Sequence, residues 1–325
     1  MRYQKTSHDN GQNAQFISSI DGSRCLSSLE NFFSSNEPYV IAEIGCNHKG
    51  SIEVAKEMIY EAATNCGVSA VKFQKRKPTE LLSEEEYNSP HPVPENSYGE
   101  TYGEHREFLE FSIEQHKELF EYCNSLGVDY SCSVWDLTSA AEISSLSPKF
   151  IKVPSACNLN KELLGYLLEK YTGQIHISLG MTTIDEAKMI FEYVRSYKRE
   201  KDIVFYSCTS GYPVRSDEIC LLEIERLKQD FGSYIGSVGF SGHHIGVGPD
   251  IAAYTLGAKY IERHFTISRS WKGTDHSASL EPSDLKFLVE SLKSSRDALS
   301  LKADSILEVE SAQRFKLKRN QIKWH

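Results

Sequence analysis

Two lysines and two histidines in this 325-residue chain stand where the surrounding pattern calls for apolar side chains. Lys72 interrupts Ala70-Val71-Lys72-Phe73-Gln74-Lys75, and Lys152 interrupts Phe150-Ile151-Lys152-Val153. An ammonium removed from water is costly unless something compensates its charge. Lys72 and Lys152, with Ser155 and Ser178 at the ends of nearby runs, therefore predict a site for a carboxylate or phosphate. The alternative is that each lysine pairs with a buried glutamate, Glu43 or Glu262. His243 and His264 close two consecutive β-rich runs, and adjacent strands lie about 5 Å apart. Two imidazoles at that spacing, with carboxylates such as Asp275 nearby, predict a divalent-metal site completed by oxygen donors. Mn²⁺, Mg²⁺ or Co²⁺ suits such a set better than structural Zn²⁺. The competing reading is a pair of satisfied core histidines. Glu43, Glu262 and Asp275 are the acid/base candidates, although Glu262 could serve only as partner to Arg263 or to a lysine. No GxSxG elbow and no HExxH is present, so nucleophilic hydrolase chemistry has no support.

These residues need a scaffold that brings distant segments to one place. Short β-rich runs occur at Tyr39–Gly45, Ala70–Lys75, Asp129–Val134, Phe150–Ser155, Gln174–Leu179, Ile203–Cys208, Ile235–Ser241 and Tyr260–Phe265. Helical patterns lie between them at Ser51–Asn65, Ile113–Leu126, Leu137–Leu146, Lys161–Tyr171, Ile184–Tyr197, Ser216–Phe231 and Ile251–Leu256, and Pro282–Ser300 closes the series. A repeat of about 30 residues is the length of a βα unit, and eight such units predict a closed (β/α)₈ barrel. A doubly wound open sheet is the alternative, but no GxGxxG follows the first run. A barrel places its chemistry at the C-terminal ends of its strands, where the polar residues fall. The stretch from Lys75 to Ile113 carries Pro78, Pro90, Pro92, Pro94, Gly99 and Gly103, and reads as a long functional loop. Residues 1–38 read as an N-terminal extension with a short helix at Leu26–Phe33, residues 39–300 as the barrel, and residues 301–325 as a tail.

With 36 Lys+Arg against 45 Asp+Glu, the net charge is -9. That balance, without a Lys/Arg-rich run in the barrel, argues against nucleic acid or an anionic membrane as partner. No apolar window is long enough to span a bilayer, and the polar N-terminus lacks a secretory signal pattern. The eight cysteines form no CxxC pair, and several sit in apolar runs, which predicts reduced thiols and a cytoplasmic protein.

The strand-end motifs, in their order, resemble the sialic acid synthase family of phosphoenolpyruvate-dependent synthases. They include Ile41-Ala42-Glu43-Ile44-Gly45-Cys46-Asn47-His48, Val71-Lys72-Phe73-Gln74, Tyr102-Gly103-Glu104-His105-Arg106, Lys152-Val153-Pro154-Ser155 and Ser178-Leu179-Gly180-Met181. Further on come Cys208-Thr209-Ser210-Gly211-Tyr212-Pro213, Phe240-Ser241-Gly242-His243, Glu262-Arg263-His264-Phe265-Thr266 and Trp271-Lys272-Gly273-Thr274-Asp275-His276. The resemblance implies a metal-dependent condensation of phosphoenolpyruvate with an N-acylmannosamine-type aldose, free or 6-phosphorylated, to a nine-carbon ulosonic acid. A related synthase of another 2-keto-3-deoxy sugar acid, or a non-catalytic sugar-binding descendant, are the alternatives. Carried over, His243 and His264 would bind Mn²⁺. Lys72, Ser133, Lys152 and Ser155 would hold the phosphoenolpyruvate carboxylate, and Ser178, Ser210 and Ser241 its phosphate. Glu43, Gln74, Tyr212 and Asp275 would face the sugar, with Glu43 or Asp275 placed for proton transfer. His105, Arg106 and Lys272 are the expected partners of a sugar phosphate, unless they are ordinary solvated loop charges. Two departures stand out. Cys157 occupies the position where the family pattern carries an acid. The chain also stops at His325, short of the antifreeze-like domain of many relatives, so that Arg314 or Arg319 would have to replace its arginine. Dimerisation through barrel faces remains open.

Overall fold

The computed structural model describes residues 37–302 and 305–318. The expected helix at Leu26–Phe33, and Arg319, lie outside them. The chain divides into a compact unit, Pro38–Ser295, and a second made of residues 1–37 and 296–325.

The first unit is a closed barrel of eight parallel strands: β1 (Tyr39–Gly45), β2 (Ala70–Lys75), β3 (Asp129–Val134), β4 (Phe150–Val153), β5 (Gln174–Ser178), β6 (Ile203–Cys208), β7 (Ser237–Gly242) and β8 (Tyr260–His264). They follow one another in sequence order, and β8 returns to pair with β1 through Tyr39↔Tyr260 to Glu43↔His264. The expected (β/α)₈ architecture is what the chain adopts. β4 stops two residues early because Pro154 has no N–H to continue the ladder.

Helices cover the outside. α1 (Ile52–Tyr60) runs into a π-helical turn, Glu61–Cys66, which ends at Gly67 in the left-handed region. The connection after β2 is more ordered than a loop and carries α2 (Pro78–Leu81), α3 (Glu84–Asn88) and α4 (Tyr102–Leu109). Two reciprocal capping boxes explain this. Thr101 Oγ1 accepts from the Glu104 N–H while the Glu104 carboxylate accepts from the Thr101 N–H, both at 3.2 Å. Ser83 and Glu86 repeat the arrangement at α3. Then follow α5 (Ile113–Ser125), α6 (Leu137–Ser145), α7 (Lys161–Lys170), α8 (Ile184–Ser196), α9 (Glu223–Phe231), α10 (Gly248–Thr255) and α11 (Pro282–Ala298). The sequence pattern started α9 at Ser216. In the structure Ser216–Glu218 is a single 3₁₀ turn, and Cys220, with φ 54°, interrupts the right-handed path before α9 begins. In the second unit the described residues include α12 (Glu308–Leu317), which has no buried side chain.

Residues two apart along a strand share one face, and that alternation divides the barrel interior into two zones. Its floor is Ile41, Ala70, Phe150, Val204, Tyr206 and Tyr260, with Tyr39 packed against them. His176 stacks on Phe150 at 4.1 Å between centroids and hydrogen-bonds the Tyr206 hydroxyl at 2.8 Å. Moving along the same faces towards the strand C-termini, apolar residues give way to Glu43, Lys72, Gln74, Ser133, Lys152, Ser178, Ser241 and Glu262. Cys46, Cys66, Cys123, Cys132, Cys157, Cys208 and Cys220 are free thiols. Among the described residues no helix is long and apolar enough to cross a membrane.

On the outer face, His116 of α5 packs edge-on against Phe73 and Phe111 and shares a 2.7 Å hydrogen bond with the Tyr130 hydroxyl. Burial above all, and then Lys75 and His48, hold its pKa well below the ordinary 6.5. A histidine depressed in the fold contributes stability that is complete above its unfolded pKa and is lost as pH falls below it. His116→Phe should therefore flatten the acid-side decline in unfolding free energy by about 1.4 kcal/mol per pH unit. Urea titrations from about pH 7 down to about pH 5 would read the slope; an unchanged slope would mean that the ring is not held neutral.

Candidate functional site

The polar zone of the barrel opens into a cavity of ≈ 330 Å³. Every strand contributes to it: Glu43 from β1, Lys72 and Gln74 from β2, Ser133 from β3, Lys152 from β4, Ser178 from β5, Cys208 from β6, Ser241 from β7, and Glu262 and His264 from β8. The turns that follow add Trp135, Ser155, Ser210, Tyr212 and His243. The β5 turn must be Gly180, since a Cβ there would sit 2.5 Å from Ser210 Oγ and 2.6 Å from Ser155 Oγ. Both hydroxyls thus close in on the backbone at that corner.

Both lysines are buried, and both have carboxylate partners. Lys72 pairs with Glu43, lies 3.8 Å from Glu262, and donates to Ser133 Oγ at 2.6 Å. Lys152 donates to Glu262 Oε1 at 2.5 Å, and its ammonium stands 4.2 Å from the Tyr206 ring centroid. The glutamate pairing offered above as the alternative is therefore the arrangement in this chain. Glu262 partners the lysines rather than Arg263, which points to the other side of β8 and is bound by Asp250 and by the carbonyls of His244 and Gly246.

The two glutamates are shifted in opposite directions. Burial raises Glu43 to about 7, with the neighbouring Glu262 adding to the rise and Lys72 opposing it. Burial would raise Glu262 as well, but Lys152 and Lys72 overcome it and hold this carboxyl well below its usual range. With Glu43 protonated, two ammonium groups face one firmly ionised carboxylate. The cavity is then left with net positive charge, which an anionic ligand would neutralise.

At the rim, the His243 and His264 rings lie 5.4 Å apart between centroids. Burial would lower His243, but its hydrogen bond with Cys208 and the Thr209 carbonyl, which Nδ1 meets at 2.9 Å, raise it above the ordinary histidine value. His264 Nδ1 is buried with no hydrogen-bond partner and stands 3.9 Å from Asp275 Oδ2. Burial, with His243 and Lys72 adding, pushes His264 down to about 4, so its imidazole is neutral at physiological pH. Among the described residues, no group of three or more His, Cys, Asp and Glu side chains is gathered closely enough to hold a metal ion unaided. A neutral His264 with an unpartnered Nδ1, beside His243, suits a cation whose other ligands are oxygens from water or substrate.

Of the fourteen side chains singled out in the sequence for this site, thirteen line this one cavity. Asp275 does not; it stands behind His264 at the edge, close to Gly45. Of the three expected partners of a sugar phosphate, His105 is buried, accepts from the Tyr98 N–H and packs on His91, and Arg106 is half-buried and donates Nε to the Tyr102 hydroxyl at 3.0 Å. Lys272 lies over the Tyr98 ring at 4.9 Å. His276, beside Asp275, is occupied with the Thr266 hydroxyl at 2.8 Å. Sequence reasoning passed over Trp135, one residue beyond β3, and Cys208, the last residue of β6. Their strand-end positions were the signal. Cys208 would be pushed up by burial, but its hydrogen bond with His243 outweighs that and lowers the thiol.

A sequence model of the NeuB family matches residues 58–304. N-acetylneuraminate-9-phosphate synthase of Mus musculus is 36% identical over 87% of this chain and 77% of its own length. N,N'-diacetyllegionaminic acid synthase of Legionella pneumophila is 34% identical over 82% of this chain and 74% of its own. Among solved structures, the N-acetylneuraminic acid (sialic acid) synthetase of Leptospira borgpetersenii superposes with a TM-score of 0.72 at 24% identity, covering 87% of this chain and 93% of that one. At that identity it speaks to the barrel fold alone.

Proposed function

The chain belongs to the NeuB family, and from that premise we propose that it joins phosphoenolpyruvate to an N-acylmannosamine-type aldose, free or 6-phosphorylated, giving a nine-carbon ulosonic acid and phosphate. The carrying observation is that Lys72 and Lys152 face one cavity with His243 and His264. On this reading Lys72 and Lys152, with Ser133 and Ser155, hold the phosphoenolpyruvate carboxylate, and Ser178, Ser210 and Ser241 hold its phosphate. Gln74 and Tyr212 orient the sugar above it.

His243 and His264 would hold a divalent cation, Mn²⁺ first, which would supply Lewis acidity at the sugar aldehyde. Carbon three of phosphoenolpyruvate forms the new bond to the aldehyde carbon. Protonated Glu43 gives its proton to the aldehyde oxygen, which becomes a hydroxyl. Water adds at carbon two, and its proton returns to Glu43. The carbon two–oxygen bond to phosphate then breaks, and the leaving phosphate takes up the proton of the remaining hydroxyl, which becomes the ketone. A carboxyl poised near neutrality is suited to both transfers.

Phosphate release from phosphoenolpyruvate with Mn²⁺ tests the reading, across N-acetylmannosamine, its 6-phosphate, mannose, mannose 6-phosphate and arabinose 5-phosphate. Release with an N-acylated acceptor, abolished by EDTA, is expected. No release, together with no phosphoenolpyruvate binding, would overturn the proposal.

A further inference from the structure

The barrel floor holds two polar aromatic residues where aliphatic side chains would bury no polar atom. His176 of β5 and Tyr206 of β6 are both fully buried among Ile41, Ala70, Phe150 and Val204. Polar groups placed there are costly unless they are hydrogen-bonded. His176 Nδ1 shares a 2.8 Å hydrogen bond with the Tyr206 hydroxyl, but its Nε2 has no hydrogen-bond partner. Neither side chain lines the catalytic cavity, and the reaction proposed above uses neither.

What the Tyr206 ring does meet is Lys152, whose ammonium stands 4.2 Å from its centroid. That is well inside the reach of a cation–π attraction, which strengthens where water is excluded. Three strands prepare the contact. From β5, His176 ties down the hydroxyl while it stacks on Phe150 and stands edge-on to Tyr260, 4.7 Å between centroids. From β7, Gly239 leaves room for the ring, since a Cβ there would sit 2.6 Å from Tyr206 Cε1. The ring belongs to β6 itself, so its place is set on every side before any ligand enters.

Lys152 needs such support. Its carboxylate partner, Glu262, also lies 3.8 Å from Lys72 and accepts from Ser241 Oγ at 3.0 Å. Burial lowers the Lys152 pKa below the ordinary lysine value, with Glu262 opposing and Lys72 adding to the fall. A further carboxylate would steady the ammonium but would repel an anionic substrate. The face of a neutral ring attracts the cation without adding a charge. Burial also holds the Tyr206 hydroxyl in its protonated, neutral form.

We infer that Tyr206 is a positioning residue for Lys152, its ring face holding the ammonium ready for the carboxylate of phosphoenolpyruvate while His176 and Gly239 hold the ring. The inference rests on the role proposed above for Lys152. Without the ring, the ammonium would sink onto Glu262 or give up its proton. Only the fraction still charged and in place could then bind, and the apparent affinity would fall by that fraction.

The test is calorimetric binding of phosphoenolpyruvate to the full chain, with no acceptor present. Tyr206→Phe keeps the ring face and should bind within about 3-fold of the unaltered protein. Genetic-code expansion can then add one, two and three fluorines to the ring introduced at that position. Fluorine withdraws electron density from the ring face with little change in shape. Affinity should fall stepwise, by about 10-fold in all, at the melting temperature of Tyr206→Phe. In turnover, KM for phosphoenolpyruvate should rise with the fluorine count while KM for the acceptor stays unmoved. Affinity indifferent to fluorination would overturn the inference and leave Tyr206 as floor packing, as would an equal rise in both KM values. If Lys152→Met binds phosphoenolpyruvate as tightly as the unaltered protein, or the unaltered protein does not bind it, the role proposed for Lys152 fails first and this inference with it.

Discussion

Lys152→Met should abolish turnover in practice, lowering phosphate release by about 10²–10³-fold or more, the scale of losing one preorganised electrostatic contact. The same change should destabilise the barrel by about 3–5 kcal/mol, because it leaves Glu262 buried without its nearest cation. Those two effects separate cleanly in a double variant. Lys152→Met with Glu262→Gln removes the orphaned charge and should recover most of the lost unfolding free energy in urea. It should recover none of the activity, because the ammonium that faces the substrate is still missing. Restored turnover in the double variant would show the pair to be purely structural, and phosphoenolpyruvate would then have to be held elsewhere.

His264→Ala should behave in the opposite way. Its Nδ1 has no hydrogen-bond partner, and the ring stands at the cavity rim. Removing it deletes no buried ion pair, so the cost in stability should stay near the ordinary value of about 1 kcal/mol for a substitution. Activity should fall by about 10²-fold or more, in line with the loss of a stabilising group at the reacting carbonyl. Mn²⁺ binding, followed directly by the paramagnetic broadening of water protons, should weaken in parallel. Full activity of this variant in the presence of chelator would remove the metal from the proposal.

The architecture was legible because its signal is repetitive. Each β-rich run carries its own alternation, and eight of them at one spacing leave few closed topologies. The candidate site was legible for a related reason: Lys72, Lys152, His243 and His264 break patterns that are otherwise apolar, and a barrel sends such breaks to one end. The pairing of Lys72 with Glu43 and of Lys152 with Glu262 could be offered only as an alternative. It depends on how strands β1, β2, β4 and β8 are staggered around the barrel, and no local pattern records that stagger. The short helices after β2 were missed through reading prolines and glycines as loop, although Thr101-x-x-Glu104 carries a helix-start signature.

The aromatic floor made by Phe150, Tyr206 and Tyr260 closes the barrel interior beneath the catalytic cavity. A tube sealed at one end imposes a queue. On the proposed reading phosphoenolpyruvate rests on the lysines deep inside, while the sugar occupies the rim beside Tyr212, which remains half exposed. Whichever reactant lodges at the rim bars the passage for the one below. Phosphoenolpyruvate must then arrive first, and an acceptor that enters an empty barrel becomes an obstruction rather than a substrate. Excess sugar would thereby slow the reaction it feeds, through the plugged end of the barrel rather than through any residue that touches the chemistry.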